Sequence, residues 1–257
     1  MKSDILKKSV KSILILCFWL AVWETASLLV SDNLKLFLPS PIAVLKKWTE
    51  IGFTREYIIS AGATLLRIFT GFASGVIAGI CAGLLTANVK IAGSLISPTL
   101  KIIRATPVVS FIILAFLFID VDRLPIFISF LMVVPLIWQT VNDGILNSDI
   151  EQDEMCRVYG IGKLRSLFLI KLPQCFPEII SAAVSALGFA WKSGVAAEVL
   201  CTPDISLGHR ICTAKAALSF DEVYAVTLTV VILSLVIELL LKYLCGKYIV
   251  KKAARND

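Results

Sequence analysis

The chain has 257 residues, of which 58% are hydrophobic, and its mean hydropathy is +0.86. This composition excludes an ordinary water-soluble domain, in which about 45–50% of residues are apolar. The net charge of +6 does not indicate nucleic-acid binding, because the basic residues lie between apolar runs instead of forming one face.

Six apolar runs predict an all-α integral membrane protein with six transmembrane helices in a single domain, 1–257. Each run is bounded by charged residues or by Pro and Gly, and the third is shorter than a bilayer span requires. The predicted spans are 13–30, 58–87, 106–119, 124–146, 175–200 and 222–245. If the N-terminus is cytoplasmic, the inner segments hold 16 of the 25 Lys and Arg residues and the outer segments hold seven. The positive-inside rule therefore predicts that both termini are cytoplasmic.

The second predicted span carries four glycines spaced four residues apart: Gly71, Gly75, Gly79 and Gly83. Residues four apart lie on one face of a helix. Because glycine has no side chain, a neighbouring helix can approach this face closely, and such packing is a main source of helix association in lipid. We therefore predict that this face packs against another helix within the bundle.

Two basic residues lie well inside predicted spans. Arg67 and Lys192, which follows Trp191, are each about nine residues, or about 13 Å, from the predicted outer ends of their helices. A charge at mid-bilayer costs about 2.5–3.5 kcal/mol, so such residues should face the bundle interior or extend their charged ends toward the membrane surface. Each could pair with Glu24 or Glu198, or the two could form a basic lining for an anion.

The sequence shows no catalytic or metal-binding constellation. The seven cysteines include no C-x-x-C pair, and the single histidine, His209, lies in a predicted outer loop. One histidine makes Ser-His-Asp or two-histidine metal chemistry hard to assemble. Cys201 and Cys212 share one predicted loop and could form a disulfide in an oxidising space, or they could be ordinary unpaired cysteines. We expect no catalytic residue and no bound metal or cofactor in this chain.

Residues 147–174 form the only long polar segment, and the charge distribution predicts that they are cytoplasmic. Ser148 or Asp149 can cap a helix, and Gly160 can supply the left-handed residue that ends it. A second short helix from about residue 163 would be stopped by Pro173. The result is a helix-turn-helix on the cytoplasmic surface. The alternative is an amphipathic connector with no partner.

This segment resembles the loop E-A-A-x-x-x-G-x(9)-I-x-L-P of binding-protein-dependent ABC transporter permeases. Glu154 precedes Gly160 by six residues, and Ile170, Leu172 and Pro173 follow at the matching positions. The two alanines of the pattern are replaced by other residues. The resemblance therefore identifies the polar segment as the coupling helix-turn-helix through which such permeases contact their ATPase.

Other landmarks resemble the branch of that family that handles nitrate, aliphatic sulfonates and taurine. They occur in the same order, within residues 20–245. They are Leu38-Pro39-Ser40-Pro41, Leu66-Arg67 to Gly71-Phe72, Ala105-Thr106-Pro107 and Ala190-Trp191 to Ala197-Glu198. The chain departs from the branch at 118–123, which reads Phe-Ile-Asp-Val-Asp-Arg where relatives usually have a Trp-Phe-Gly turn.

The resemblance implies the permease subunit of an ABC importer in the cytoplasmic (inner) membrane, which forms the solute pathway by alternating access. Its implied partners are a second copy of itself, a cytoplasmic ATPase and an extracytoplasmic solute-binding protein, in addition to the bilayer. The implied solute is a small organic or inorganic anion such as a sulfonate. ATP and Mg would be bound by the ATPase, because this chain has no G-x-x-x-x-G-K-[ST] phosphate loop.

The resemblance also implies two sets of functional residues. The ATPase-docking set is Glu154, Cys156, Arg157, Val158, Tyr159, Gly160, Ile161, Gly162, Leu172 and Pro173. The substrate-pathway set is Arg67, Trp191, Lys192 and Glu198. We call residues 154–173 the docking segment.

Two other classes are weighed against this interpretation. A secondary transporter or channel without an ATPase should show inverted repeats or helices broken at matching places in its two halves. A membrane enzyme should show polar catalytic residues that face each other in mid-membrane. Neither pattern is evident in the sequence.

Overall fold

The computed structural model describes residues 2–30, 36–147, 154–156 and 158–253, and all regular secondary structure within these ranges is helical. The prediction of an all-α fold is therefore confirmed. The elements are α1 (Lys2–Leu29), α2 (Pro41–Ile51), α3 (Arg55–Asn88), α4 (Lys90–Ala105), α5 (Val108–Phe116), α6 (Leu124–Leu146), α7 (Lys163–Ser166), the π-helical segment Leu167–Lys171, α8 (Leu172–Cys201), α9 (Leu207–Ala216) and α10 (Phe220–Ala253).

Four described stretches of helix are long and apolar enough to cross a bilayer: Arg55–Asn88, Leu124–Leu146, Leu167–Cys201 and Phe220–Tyr243. They correspond to the second, fourth, fifth and sixth predicted spans. The apolar part of α1 covers only Leu14–Leu29, which is shorter than the roughly 20 residues of a typical span. Six full spans are thus more than the described residues show.

The third predicted span, 106–119, is not a straight spanning helix. Its helical part, α5, has nine residues and rises only about 13 Å. It follows α4 after a bend of 104°. The bend lies at Thr106, whose backbone is extended with φ −83° and ψ 136°, because the ring of Pro107 disfavours a helical conformation in the residue before it.

The four glycines of α3 that are spaced four apart, from Gly71 to Gly83, all lie against α6. An added Cβ at Gly71 would lie 2.3 Å from the carbonyl oxygen of Ile126, and one at Gly79 would lie 2.7 Å from the Cβ of Ile137. Gly75 and Gly83 are equally close to valine side chains of the same helix, at 2.8 and 2.6 Å. No side chain fits at any of these positions without moving the helices apart.

Helix α8 completes the core by packing against both α3 and α6. An added Cβ at Gly194 would lie 2.6 Å from the Cγ1 of Ile68 and from the Oγ of Ser129. The buried Ser129 hydroxyl donates to the carbonyl of Ala190 at 3.1 Å. Helices α3, α6 and α8 therefore form a three-helix core, in which α6 is central.

The short helix α2 is fixed to this bundle at one end of α10. The Oγ of Ser40 accepts a hydrogen bond from the Ala43 N–H at 3.2 Å, and Pro41 occupies the first turn, so the helix starts with a standard cap. The indole N–H of Trp48 donates to the Oγ1 of Thr229 at 2.8 Å. The Tyr57 hydroxyl meets the same oxygen at 2.6 Å.

The predicted option of a disulfide between Cys201 and Cys212 is wrong. Both thiols are free in the structure. Cys201 lies at the end of α8 and Cys212 in α9, and the Cys212 thiol lies 3.0 Å from the carbonyl of Val199 instead. The two cysteines lie on separate helices, where each is held by its own packing.

The close packing of α3 on α6 predicts that a large side chain at Gly71, Gly75, Gly79 or Gly83 prevents assembly of the core. We call these four residues the glycine ladder. Gly75→Leu or Gly79→Leu should reduce stability by about 1–3 kcal/mol or more, because overpacking forces backbones apart. The matched control is Gly62→Leu on the same helix, where an added Cβ has no atom within 4 Å. Melting of the detergent-solubilised chain measures the effect, and equal melting temperatures for all three variants would contradict it.

Candidate solute pathway and docking segment

The docking segment contains a fixed turn centred on Gly160. Gly160 has a φ of +66°, and the N–H of Ile161 donates to the carbonyl of Cys156 at 2.8 Å. This bond between residues five apart, with a left-handed glycine, is the mark of a Schellman helix end. An added Cβ at Gly160 would meet nothing within 4 Å, so the constraint on this position is its backbone conformation alone.

The turn presents apolar side chains to its surroundings. Val158 and Tyr159 are 84% and 76% exposed. Glu154, Gly160 and Gly162 are exposed as well. The buried member of the predicted docking set is Cys156, whose sulfur lies 3.3 Å from the Oγ of Ser166 in α7. The docking segment is thus an exposed surface that the contact between Cys156 and Ser166 holds in place. Of the remaining predictions, Arg157 and the helix caps at Ser148 and Asp149 lie outside the described residues.

The predicted helix stop at Pro173 is wrong. The chain stays helical from α7 through the π-helical segment into α8, with φ of −59°, −63° and −62° at Ser166, Lys171 and Leu172. Proline is compatible with helical φ, and it disturbs only the hydrogen bonds of the preceding turn. The part of the docking segment that follows the Gly160 turn, from Lys163 onward, is therefore continuous with the spanning helix α8, and the two form one rod.

At the other end of α8, Glu198 is fully buried in a polar cluster. Its Oε2 accepts from the hydroxyl of Thr64 at 2.7 Å and from the N–H of Gly208 at 3.4 Å. Its Oε1 lies 3.6 Å from the Nη1 of Arg67. The Arg67 guanidinium also donates to the carbonyl of Ile205 and to the Oδ1 of Asp122, each at 2.6 Å.

This cluster fixes α9 against α3 and α8. Thr64 accepts from the N–H of Leu207 at 3.0 Å while it donates to Glu198. Gly208 approaches α8 so closely that an added Cβ would lie 2.4 Å from the backbone carbon of Glu198. Among the alternatives from the sequence, Arg67 therefore pairs with Glu198, and Glu24 is not part of the cluster.

The other two residues of the predicted pathway set are neighbours on α8 that differ in burial. Trp191 is buried, and its indole N–H donates to the carbonyl of Val230 in α10 at 3.1 Å. Lys192 is exposed, and within the described part of the chain it forms no salt bridge with Glu198 or Glu24. The structure thus separates Lys192 from Arg67, which is held by its own counter-ions.

Thr64 and Asp122 were not predicted to be site residues, although Asp122 lies within the departure at 118–123. Thr64 could have been found, because it lies seven residues before Gly71 and so shares the face of the glycine ladder. Asp122 gave no such signal, because it lies in a short connection between two helices. Its contact with Arg67 depends on tertiary structure.

Comparison with known proteins places the chain in a family. Residues 75–249 match the model of the binding-protein-dependent transport system inner membrane component. Since this is more than half of the chain, the protein belongs to that family. It is therefore a multi-pass membrane protein and the permease component of an ABC transport system, as the sequence motifs predicted.

Three relatives agree with this assignment. A probable ABC transporter permease protein of Brucella melitensis is 28% identical over 206 residues, which cover 80% of this chain and 83% of the relative. The nitrate import permease protein NrtB of Synechocystis is 24% identical, with 88% and 84% covered. The taurine transport system permease protein TauC of Escherichia coli is 24% identical, with 88% and 83% covered. These names confirm the predicted nitrate, sulfonate and taurine branch.

The two ion pairs of Arg67 should differ in how much the loss of each one lowers the free energy of unfolding. Arg67→Met should reduce stability by about 3–5 kcal/mol, because Glu198 is then buried without a counter-ion. Asp122→Asn should cost at most about 1 kcal/mol, because the Asp122 side chain is 72% exposed. Adding Glu198→Gln to Arg67→Met should recover much of the loss. Unfolding in detergent measures all three variants against the parent chain, and a double variant no more stable than Arg67→Met would show that the two residues are not coupled.

Proposed function

We propose that the chain is the membrane-spanning subunit of an ABC importer for a small anion, driven by a separate ATPase that binds the docking segment. The observation that carries the proposal is the Gly160 turn, which holds Val158 and Tyr159 on an exposed surface at one end of the α8 rod. Exposed aromatic and aliphatic side chains on a rigid turn are suited to insertion into a protein cleft. We place this surface, and both termini, on the cytoplasmic side.

The face of α8 that includes Lys192 supports a role in the pathway. Ser181, Ser185 and Lys192 are all exposed, and their spacing of four and seven residues places them on one face of the helix. A lysine that faces lipid at this depth is costly, whereas one that faces water or an anion is not. We infer that this face lines the pathway, which a second copy of the chain closes from the other side.

The proposed solute class rests on charge and on relatives. Relatives of this chain are named for the import of nitrate and taurine, which are small oxyanions or carry an anionic group. Lys192 supplies a positive charge without an internal counter-ion among the described residues. Arg67 contributes less, because its charge is already balanced by Asp122 and Glu198. Delivery of the solute is assigned to an extracytoplasmic binding protein.

If the Gly160 turn binds the ATPase, ATP-driven uptake should fall further as a substitution at Gly160 introduces more backbone strain. Gly160→Val should abolish ATP-driven uptake, because a β-branched residue disfavours the left-handed conformation, whereas Gly160→Asn should keep a large part of it, because Asn tolerates that conformation. Both side chains enter open space, so they differ mainly in backbone strain. Uptake and membrane insertion are measured in parallel. Normal coupling in the Gly160→Val variant would show that this turn does not contact the ATPase.

The pathway role predicts a functional defect without a folding defect at Lys192. Lys192→Met should reduce uptake or change the preferred solute while the free energy of unfolding stays within about 0.5 kcal/mol of the parent value, as for other exposed sites. Lys192→Arg is the control, because it retains the charge. A large loss of stability with Lys192→Met would assign the residue to a structural pair, and unchanged uptake would remove it from the pathway.

A further inference from the structure

The junction between the docking segment and the membrane helix has a distinct hydrogen-bond pattern. In an α-helix each N–H donates to the carbonyl four residues earlier, whereas in a π-helix it donates to the fifth. The N–H of Leu172 donates to the carbonyl of Leu167, five residues earlier. The rod from α7 to α8 therefore contains one wide turn, at Leu167–Lys171, which ends two residues before Pro173.

Two constraints account for the position of this turn. In a regular α-helix the ring of Pro173 would clash with the carbonyl of Leu169 and leave it without its N–H partner. The wide turn relieves that clash. Pro177, four residues later, lies within regular α-helix, so a proline alone does not impose a wide turn. The second constraint is Leu167, which is buried in the core cluster with Cys175 and Ile179.

We propose that Pro173 is a positioning residue that fixes the rotational phase of the docking segment on α8 by maintaining the π-helical turn. The inference rests on the proposed docking of an ATPase. It reassigns Pro173 from a contact residue to the residue that determines where the contact surface points.

Helix geometry gives the angle by which loss of the π-helical turn would rotate the docking segment. An α-helix turns by about 100° per residue, and the wide turn accommodates one additional residue. If the turn becomes α-helical, Phe168 moves into the angular position that Leu167 now occupies. Phe168 is 55% exposed and Leu167 is buried. The docking surface would then be rotated by about 100° relative to the spanning helix.

The rotational phase of the docking segment matters because α8 connects that segment to the proposed pathway and to the buried polar cluster. The same rod holds Lys192 on its exposed face and Glu198 in the buried cluster. A movement of the docking segment reaches these residues through a continuous helix. The wide turn determines the direction in which such a movement is applied.

The first test measures the phase directly and needs neither solute nor ATPase. A cysteine introduced as Phe168→Cys should react quickly with a water-soluble maleimide, and one introduced as Leu167→Cys should react slowly. Adding Pro173→Ala should make the cysteine at 168 slow to react. Deleting Leu169 as well removes one residue from the now regular helix and should restore fast labelling at 168. Pro177→Ala is the matched control and should leave the labelling unchanged.

The second test measures coupling in the complex with its ATPase and binding protein, with taurine and nitrate as probes. Pro173→Ala and the Leu169 deletion should each reduce uptake per ATP hydrolysed by about tenfold, a typical size for changes along a coupling route. The two changes together should restore most of it, because the phase is native again. Should Pro173→Ala alone fail to insert, the combined variant must still insert and transport.

The outcomes separate this inference from the proposed function. Labelling at 168 that Pro173→Ala does not change would overturn it, as would a combined variant that is no better coupled than either single change. A wild-type complex that shows no ATP-driven uptake of either probe, with the expected labelling pattern, would contradict the proposed importer and leave the phase assignment supported.

Discussion

The rest of the structure depends on the close contact between α3 and α6. In a bilayer the hydrophobic effect does not drive helices together, so packing at short range has to do so. The α3 face from Gly71 to Gly83 allows this, since no side chain separates the two backbones. Gly194 extends the same principle to α8. Once these three helices are fixed, Thr64 and Glu198 are brought together from residues far apart in the chain.

The second organising feature is the continuity of α8 with the docking segment. One end of this rod is held by the buried Glu198, which Thr64, Arg67 and the backbone of Gly208 surround. The other end carries an exposed turn. A rod that is fixed at one end and accessible at the other can carry a rotation or tilt imposed by a partner protein. The alternating access that we propose for this chain would require a connection of that kind between the ATPase and the pathway.

Sequence reasoning was reliable where a local periodicity reports a physical requirement. The spacing of the α3 glycines predicted a packing face, and the left-handed Gly160 followed from the chemistry of helix ends. It failed where proline was involved. Pro107 bends the chain by 104° in the third predicted span, and Pro173, which was expected to end a helix, lies inside one. At Pro173 the outcome depends on the packing of the adjacent turn, in which Leu167 is buried. The choice of Arg67 as the partner of Glu198 was likewise left open, because it is decided by tertiary contact.

We propose that this permease moves a solute only when a separate ATPase drives it. The most direct measurement is uptake of taurine or nitrate into proteoliposomes that contain the chain with and without its ATPase, in the presence of the binding protein. We expect accumulation that requires both the ATPase and ATP and is insensitive to ionophores that collapse ion gradients. Accumulation without the ATPase, driven by an ion gradient, would contradict the account and identify the chain as a secondary transporter.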